Sequence, residues 1–136
     1  MADNLTRAQR AAAMRSVKST NTTPELVIRS LLRGMGLIGY RLHRRDIPGT
    51  PDVAWLSRRR ALYVHGCFWH GHDCRRGARM PKTRRAYWRK KIERNRVRDM
   101  EQRKRCKAAG WRVLVLWECE LQNTTRVRGK LRRFFL

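Results

Sequence analysis

The chain has 136 residues, of which 34 are lysine or arginine and 10 are aspartate or glutamate, and its formal net charge is +24. This excess predicts a polyanionic partner such as nucleic acid, whereas five tryptophans and 41% hydrophobic residues exclude a disordered basic tail. The sequence has neither a run of about 20 apolar residues for a membrane span nor the apolar region of a signal peptide, so we expect a cytoplasmic protein, associated with the nucleoid when it acts, and no membrane partner.

The N-terminal part of the sequence predicts a basic arm followed by an amphipathic helix. Residues 6–18 are typical of a short basic helix, and we expect residues 1–19 to form an arm that contacts DNA. Thr23 as N-cap and Pro24 at the first helical position predict the start of the next helix. Its apolar face is formed by Ile28, Leu31, Leu32 and Met35.

Three strands and an irregular segment are predicted next. Residues 40–44, 51–56 and 61–65 have strand-like composition, and the short basic connection between the last two predicts a hairpin. Residues 66–74 are rich in cysteine and histidine and show neither helical nor strand periodicity. We therefore expect side-chain ligation or packing to hold this segment in place.

The C-terminal half predicts two helices separated by one strand. Residues 83–107 form a long charged helix with Thr83 as its cap, and Gly110 ends it. Residues 111–118 are continuously apolar, which predicts a strand buried on both faces, and residues 124–135 form a basic helix. The order α, β, β, β, α, β, α predicts one α/β domain over residues 1–136, with a mixed sheet flanked by helices.

The cysteines favour metal ligation over disulfides in a cytoplasmic chain. Cys67, His72 and Cys74 lie close in sequence, and Cys119 follows the last strand, so the four side chains could bind a structural zinc ion tetrahedrally. The alternative is that reduced cysteines are buried as small hydrophobic residues. Cys106, on the charged helix, is assigned no role.

Two further residues are candidates for catalysis. Asp52 stands at the start of a predicted strand, where a carboxylate could bind a hard cation, although most carboxylates in such a basic chain are solvated partners of arginine. His70 lies among the presumed zinc ligands and could take a proton from an attacking water. A structural or zinc-binding histidine is an equally good interpretation.

Aromatic residues suggest a contact with bases. Phe68 and Trp69 are adjacent in a polar segment, where they could form a wedge between base pairs or pack over the zinc site. One face of the long helix has an aromatic, a basic, an amide and an acidic side chain. This mixture indicates an interface, or a half-buried tryptophan with solvated neighbours. The residues of that face are Trp88, Lys91, Asn95 and Asp99.

Three sequence motifs together resemble the very-short-patch repair (Vsr) DNA mismatch endonucleases. They are PGTPD at 48–52, VHGCFWHGHDC at 64–74 and GWRVLVLWECEL at 110–121, and the resemblance extends over residues 14–121. It implies a fold related to type II restriction endonucleases. It also implies strand-specific nicking on the 5′ side of the thymine in a T:G mismatch left by deamination of 5-methylcytosine.

The same resemblance assigns roles to individual residues. Asp52 and the main-chain carbonyl of Val64 would bind Mg²⁺, and His70 would activate water in place of the lysine that restriction enzymes use. Supporting groups would be His65, Glu25 and Asp99. Zinc would be bound by Cys67, His72, Cys74 and Cys119. An intercalating wedge of Phe68, Trp69 and Trp88 would act with base-reading or supporting residues Met14, Lys91 and Asn95.

Two other functions stay open from the sequence. One is a restriction-like nuclease that cuts another lesion or a fully paired site, and the other is a non-catalytic, zinc-stabilised basic DNA-binding protein. A single nick needs one active site, so we expect a monomer on double-stranded DNA. Mismatch-repair proteins are candidate partners, and the sequence does not define the preferred flanking bases.

Overall fold

The computed structural model describes residues 22–74 and 81–136. The predicted arm, its helix and Met14 lie outside the described residues. The described elements follow the predicted order α, β, β, β, α, β, α. They are α1 (Thr23–Gly34), β1 (Arg41–Leu42), β2 (Val53–Trp55), β3 (Arg60–His65), α2 (Arg85–Ala108), β4 (Arg112–Trp117), a 3-10 turn (Glu118–Gln122) and α3 (Thr124–Phe134).

The four strands form one mixed sheet in the order β1-β2-β3-β4. β1 pairs antiparallel with β2, and β2 pairs antiparallel with β3, which confirms the predicted hairpin. β3 and β4 are parallel, with His65 opposite Trp117. Since parallel neighbours need a crossover, α2 connects them.

Helices cover both faces of this sheet. Side chains alternate along each strand, so each face has its own apolar residues for a helix to pack against. On one face, Val53, Leu62 and Leu116 pack against apolar residues of α1 and α3. On the other face, Ala61 and Tyr63 pack against Cys106 of α2. The predicted mixed sheet flanked by helices is therefore confirmed, and Cys106 is a core residue. The relationship to restriction endonucleases stays a prediction.

The exposed surface of the long helix α2 is mostly charged, although Tyr87, Val97 and Met100 are also exposed. Of its 24 residues, only Ile92, Asp99 and Cys106 are buried. None of the helices in the described ranges combines the length and apolar character that a membrane span requires.

Both predicted helix caps are wrong by one residue. Thr22 caps α1, with an extended backbone and a side chain that accepts a hydrogen bond from the Glu25 amide, so Thr23 is already helical. Arg84 precedes α2 in a left-handed conformation with φ 56° and makes no side-chain cap, so Thr83 is not the N-cap. Gly110, with φ 91°, does follow the end of α2 as predicted.

β1 and β2 are shorter than predicted, and β4 is more exposed. β1 has two residues and β2 has three, whereas the sequence patterns extend over 40–44 and 51–56. β4 is covered by helices on both faces, but only Leu116 is fully buried, so the prediction of a fully buried strand is wrong. β4 is an edge strand of the sheet, and its outer side lacks a neighbouring strand in the described part of the chain.

Candidate active site and metal-binding groups

The candidate site lies where β3 and β4 end. Because these strands are parallel and in register at His65 and Trp117, the segments that follow them leave the sheet at the same edge. Cys67 and Cys119 each come two residues after this pair. The Cys119 amide donates a hydrogen bond to the Cys67 sulfur at 3.4 Å. Parallel pairing thus brings together two cysteines that are far apart in sequence.

Cys67, His72, Cys74 and Cys119 form one group, in which the ligand atoms all lie within 4.8 Å of one another. All four cysteines of the chain are in the described residues, and none forms a disulfide. The Cys119 sulfur is 3.6 Å from Nδ1 of His72. Zn–S and Zn–N bonds at a tetrahedral angle give a separation of about 3.6 Å. Three thiols and an imidazole in this arrangement therefore fit a zinc ion.

Burial keeps the thiols of Cys67 and Cys119 protonated in the absence of a cation. It raises the pKa of Cys67 to about 12 and also raises the pKa of Cys119. The ring of His72 stacks on Trp117 at a centroid distance of 4.1 Å, which fixes its orientation. A bound cation would stabilise the thiolates, and its binding would release protons.

His65, His70 and Asp99 form a second group at the same edge of the sheet. The two imidazole rings are stacked, with centroids 3.8 Å apart and an angle of 2° between planes. Nδ1 of His70 is 2.5 Å from Oδ2 of Asp99. Asp99 lies on the same face of α2 as Trp88, Lys91 and Asn95, and this face contacts His70 within the chain.

The pKa values of both His65 and Asp99 are lowered in this geometry, for different reasons. Burial, reinforced by the charge of His70, lowers the pKa of His65 to about 3, so His65 is neutral at physiological pH. Burial raises the pKa of Asp99, but the hydrogen bond and charge of His70 outweigh that effect and hold the pKa below its usual range. Asp99 is therefore a carboxylate facing a neighbouring imidazole.

Gly71 separates the two histidines that belong to different groups. It has φ 61°, in the left-handed region that glycine adopts readily. A Cβ atom there would lie 2.6 Å from Cδ of Arg96 and 2.7 Å from Cγ2 of Ile92 on α2. Glycine thus allows the segment to approach α2 closely while His70 contacts Asp99 and His72 contacts Cys119.

Asp52 and Glu25 belong to a third group, beside the second one. Oδ2 of Asp52 accepts a hydrogen bond from the Val64 amide at 2.7 Å. Burial, together with the charge of Glu25, raises the pKa of Asp52 to about 6, although the Val64 hydrogen bond opposes the shift. The structure therefore places Glu25 with Asp52, and it places His65 and Asp99 with His70.

Glu25 supports the interpretation of this third group as a cation site. Its side chain is 1% exposed, and its Oε2 has no hydrogen-bond partner among the residues that the structure describes. His43 and Arg29 both contact Oε1 of this carboxylate, but a buried polar atom without a hydrogen bond, such as Oε2, is costly. Oxygen atoms of one buried and one half-buried carboxylate fit a hard divalent cation such as Mg²⁺.

The sequence-based search missed His43, the remaining member of the third group. Its Nε2 forms a short hydrogen bond with Oε1 of Glu25, and its ligand atom lies within 4.8 Å of those of Glu25 and Asp52. His43 follows β1 within the basic run RLHRR, and nothing in that run distinguishes it from a solvated residue. The one feature of the sequence that could have pointed to His43 as a site residue is that it lies close to Asp52 along the chain.

The predicted aromatic residues also meet in space. Ring centroids of Trp69 and Phe68 each lie 5.8 Å from that of Trp88. Nζ of Lys91 lies 5.5 Å from the Trp69 ring centroid and 5.6 Å from that of Trp88. Asn95 donates a hydrogen bond to the Trp69 carbonyl at 2.8 Å. The predicted face of α2 therefore contacts residues 66–74 within the chain, and its role as an interface with DNA stays a prediction.

A cleft of about 500 Å³ opens next to His70 and Asp99. Its walls include Arg89, Arg96 and Arg103 from α2. Guanidinium groups around an imidazole–carboxylate pair suit a polyanionic ligand, because arginine donates paired hydrogen bonds to phosphate oxygens.

Comparison with known proteins gives the family. Residues 2–76 match the family model described as DNA mismatch endonuclease Vsr. The chain is 50% identical over 132 residues to the type II nicking enzyme V.XorIIP of Xanthomonas oryzae pv. oryzae, covering 97% of this chain and 96% of that protein. It is 38% identical over 127 residues to the DNA mismatch endonuclease Vsr of Escherichia coli, covering 93% and 80% respectively. The chain therefore belongs to the Vsr family of DNA endonucleases.

Proposed function

We propose that this endonuclease nicks one strand of duplex DNA on the 5′ side of the thymine in a T:G mismatch, with Mg²⁺ at Asp52 and a structural Zn²⁺ at the four-ligand group. The observation that carries this proposal is the continuous path of contacts from Asp52 through Val64 and His65 to His70 and Asp99. A carboxylate suited to a cation and an imidazole suited to proton transfer are thereby held at one end of β3.

His70 would act as the general base. When the Nδ1–H group donates a hydrogen bond to Asp99, the proton stays on Nδ1, and the lone pair of Nε2 is available to accept a proton from water. Asp99 is a positioning residue because it fixes the tautomer and the ring orientation. His65 stacks on His70 as a neutral ring, since burial lowers its pKa to about 3. It therefore orients His70 without adding a second positive charge.

Asp52 and the carbonyl of Val64 would hold the cation. In an extended strand, the N–H and C=O of one residue point to the same side, so the Val64 carbonyl faces the side on which its amide binds Asp52. Bound there, Mg²⁺ would neutralise charge that develops on the scissile phosphate. Glu25 adds a second buried carboxylate next to Asp52.

The aromatic group Phe68, Trp69 and Trp88 would recognise the mismatch by insertion. Its rings are only partly buried and contact one another, so the wedge is preassembled. Lys91 and Asn95 support it from α2. A mismatched step costs less to unstack than a paired one, which gives such a wedge its selectivity. Met14 lies outside the described residues, and its base-reading role is part of the same proposal.

The nucleic acid partner agrees with a net charge of +24 and with the arginines of the cleft. We propose that the protein acts as a monomer, because one nick requires one active site, and that mismatch-repair proteins are candidate partners. DNA affinity should then fall steeply as salt concentration rises, because phosphate contacts release counterions.

A nicking assay tests the proposal. End-labelled duplexes that differ only in one T:G or T:A pair are incubated, with and without Mg²⁺, with wild type, Asp52→Asn and the matched control Asp46→Asn. Asp46 is an exposed carboxylate paired with Arg44, so its loss should leave nicking unchanged. We expect a Mg²⁺-dependent nick only at T:G, which Asp52→Asn abolishes while DNA binding persists.

Other outcomes favour the other functions. Equal cutting of T:G and T:A duplexes would favour a restriction-like nuclease with another target. Tight binding with no nick in any T:G context would favour a non-catalytic basic DNA-binding protein. Both results would contradict the proposed activity.

A further inference from the structure

His43 occupies a position that the proposed mechanism does not use. Its main-chain amide donates to the Asp52 carbonyl at 3.2 Å, and its backbone has φ 50°, so the chain folds back at this residue. The imidazole consequently contacts the buried carboxylate of Glu25. Among the residues that the structure describes, His43, Glu25 and Asp52 form a compact set of one nitrogen and two oxygen donors.

An independent observation indicates that this set is built for a ligand. The Glu25 side chain is 1% exposed, and its Oε2 has no hydrogen-bond partner in the described ranges. The neighbouring Asp52 is half-buried, and burial raises the pKa of its carboxyl to about 6. Arg29 lies 3.6 Å from Oε1 of Glu25 and supplies one positive charge, so a further positive charge is needed if both carboxylates are ionised while His43 is neutral. A divalent cation would supply that charge.

The donor set discriminates between cations. Mg²⁺ prefers oxygen ligands in near-octahedral geometry. An imidazole raises the affinity of a site for first-row transition-metal ions instead, and this effect grows from Mn²⁺ to Co²⁺ and Ni²⁺. A site made only of Asp52, Glu25 and main-chain oxygen would give little selectivity for nitrogen-accepting metals. One imidazole in the same site changes this preference.

We propose that His43 is a ligand of the catalytic cation through Nε2, so that Mn²⁺ and similar ions bind this chain more tightly than an all-oxygen site would allow. The inference rests on the proposed function, because it names the cation class of that same site. Mg²⁺ still binds through the oxygen donors, and His43 strengthens the binding of transition-metal ions.

Ligation requires a defined change at His43. The hydrogen bond between Nε2 and Glu25 opens, the proton that these two atoms share leaves to solvent, and the remaining ring proton stays on Nδ1. The lone pair of Nε2 then forms the bond to the cation, and Oε1 of Glu25 is released to face the cation.

Pulsed EPR on Mn²⁺ tests this directly. Mn²⁺ is added to the zinc-loaded full chain without DNA, and nitrogen hyperfine coupling is recorded for protein made with natural histidine and with ¹⁵N-histidine. We expect a directly coordinated ¹⁴N in the first sample that becomes ¹⁵N in the second. This comparison uses the wild-type sequence, so it does not depend on how any variant folds.

Variants then identify the histidine. His43→Gln should lose the nitrogen coupling and bind Mn²⁺ about tenfold more weakly, with less than about a threefold change for Mg²⁺ measured by competition. The matched control His70→Gln should retain the coupling, because His70 belongs to the other group. Asp52→Asn should weaken the binding of both ions.

Several outcomes would overturn the inference. They are the absence of nitrogen coupling in the wild-type protein, coupling that persists in His43→Gln, and equal loss of Mn²⁺ and Mg²⁺ affinity in that variant. The test is separable from the proposed function because it needs neither DNA nor turnover. Nitrogen coupling without T:G nicking would refute only the proposed function, and T:G nicking without nitrogen coupling would refute only the role of His43.

Discussion

Two groups of carboxylates and imidazoles flank the end of β3, and they differ in how the charge of their carboxylates is compensated. In the group of His65, His70 and Asp99, the single carboxylate has an imidazole partner, and the pKa of Asp99 lies below its usual range. In the group of Glu25, His43 and Asp52, the imidazole contacts the buried carboxylate of Glu25, and burial raises the pKa of the half-buried Asp52 to about 6. The first group pairs its charge internally, whereas the second brings two carboxylates together beside His43 and Arg29. This difference is the basis of our proposal that the first group transfers protons and the second binds the metal ion.

The largest expected effect separates proton transfer from cation binding. His70→Gln should lower the nicking rate at T:G by about 10²–10⁴-fold, because it removes the proposed general base. The Mn²⁺ affinity of His70→Gln should equal that of wild type, whereas Asp52→Asn should lose both the nicking activity and the Mn²⁺ affinity. Single-turnover nicking and Mn²⁺ titration measure the two properties. A loss of Mn²⁺ affinity in His70→Gln would contradict the division into two groups.

Removing a zinc ligand should disturb the group that contains His70 more than the group that contains Asp52. Cys119→Ser should lose zinc and lower the free energy of unfolding by about 3 kcal/mol, equivalent to a fall in Tm of about 10 °C. Metal content and thermal unfolding measure this. Cys106→Ser is the control, because this buried thiol packs in the core away from the four-ligand group, and zinc content should stay at the wild-type value. A zinc-free Cys119→Ser protein with wild-type Tm would contradict the prediction.

The raised pKa of Asp52 predicts a pH-dependent cost in the protein without a divalent cation at this site. The folded-state value of about 6 exceeds the unfolded value of about 3.9. The proton on Asp52 thus stabilises the fold fully below about pH 4, and this contribution is lost as the pH rises through about 6.

Asp52→Asn should remove that dependence. Relative to wild type, the variant should gain about 2 kcal/mol in free energy of unfolding between pH 4 and pH 8, measured by urea denaturation in Mg²⁺-free buffer. Asp46→Asn is the control, because the Arg44 guanidinium holds the pKa of this exposed carboxyl below its usual range and no gain is expected. A difference between wild type and Asp52→Asn that does not change with pH would refute the electrostatic contrast.

The smallest effect concerns the support of the aromatic wedge. Lys91→Met keeps the aliphatic part of the side chain but removes the charge near Trp69 and Trp88. A cation–π contact at an exposed site contributes about 0.5–1 kcal/mol, so the preference for T:G over T:A should fall about two- to fivefold. Lys90→Met serves as control, since it removes one charge from the same helix. Equal losses of preference in both variants would indicate a general charge effect.

Elements with a strong sequence pattern were predicted well, and features set by tertiary packing were not. The end-of-strand positions of Cys67 and Cys119 predicted their contact. The helical spacing of Trp88, Lys91, Asn95 and Asp99 placed them on one face, but the groups that this face contacts did not follow from the spacing. His43 could not be predicted, because its role depends on the backbone reversal that turns its imidazole toward Glu25. The exposure of β4 follows from its place at the sheet edge, which its apolar composition does not reveal.

The backbone at Gly71 links two centres with different chemistry. His70 and His72 are separated only by Gly71. His70 pairs with Asp99, whereas His72 contacts the Cys119 thiol. A β-carbon on Gly71 would clash with side chains of α2. A side chain at position 71 would require Arg96 and Ile92 of α2, or the backbone between the two histidines, to shift. A change at this point therefore acts on the proposed zinc group and on the proposed catalytic pair through the same backbone. A designer who transfers this segment to another scaffold must therefore transfer the facing turn of α2 with it, because the close fit is a property of the pair.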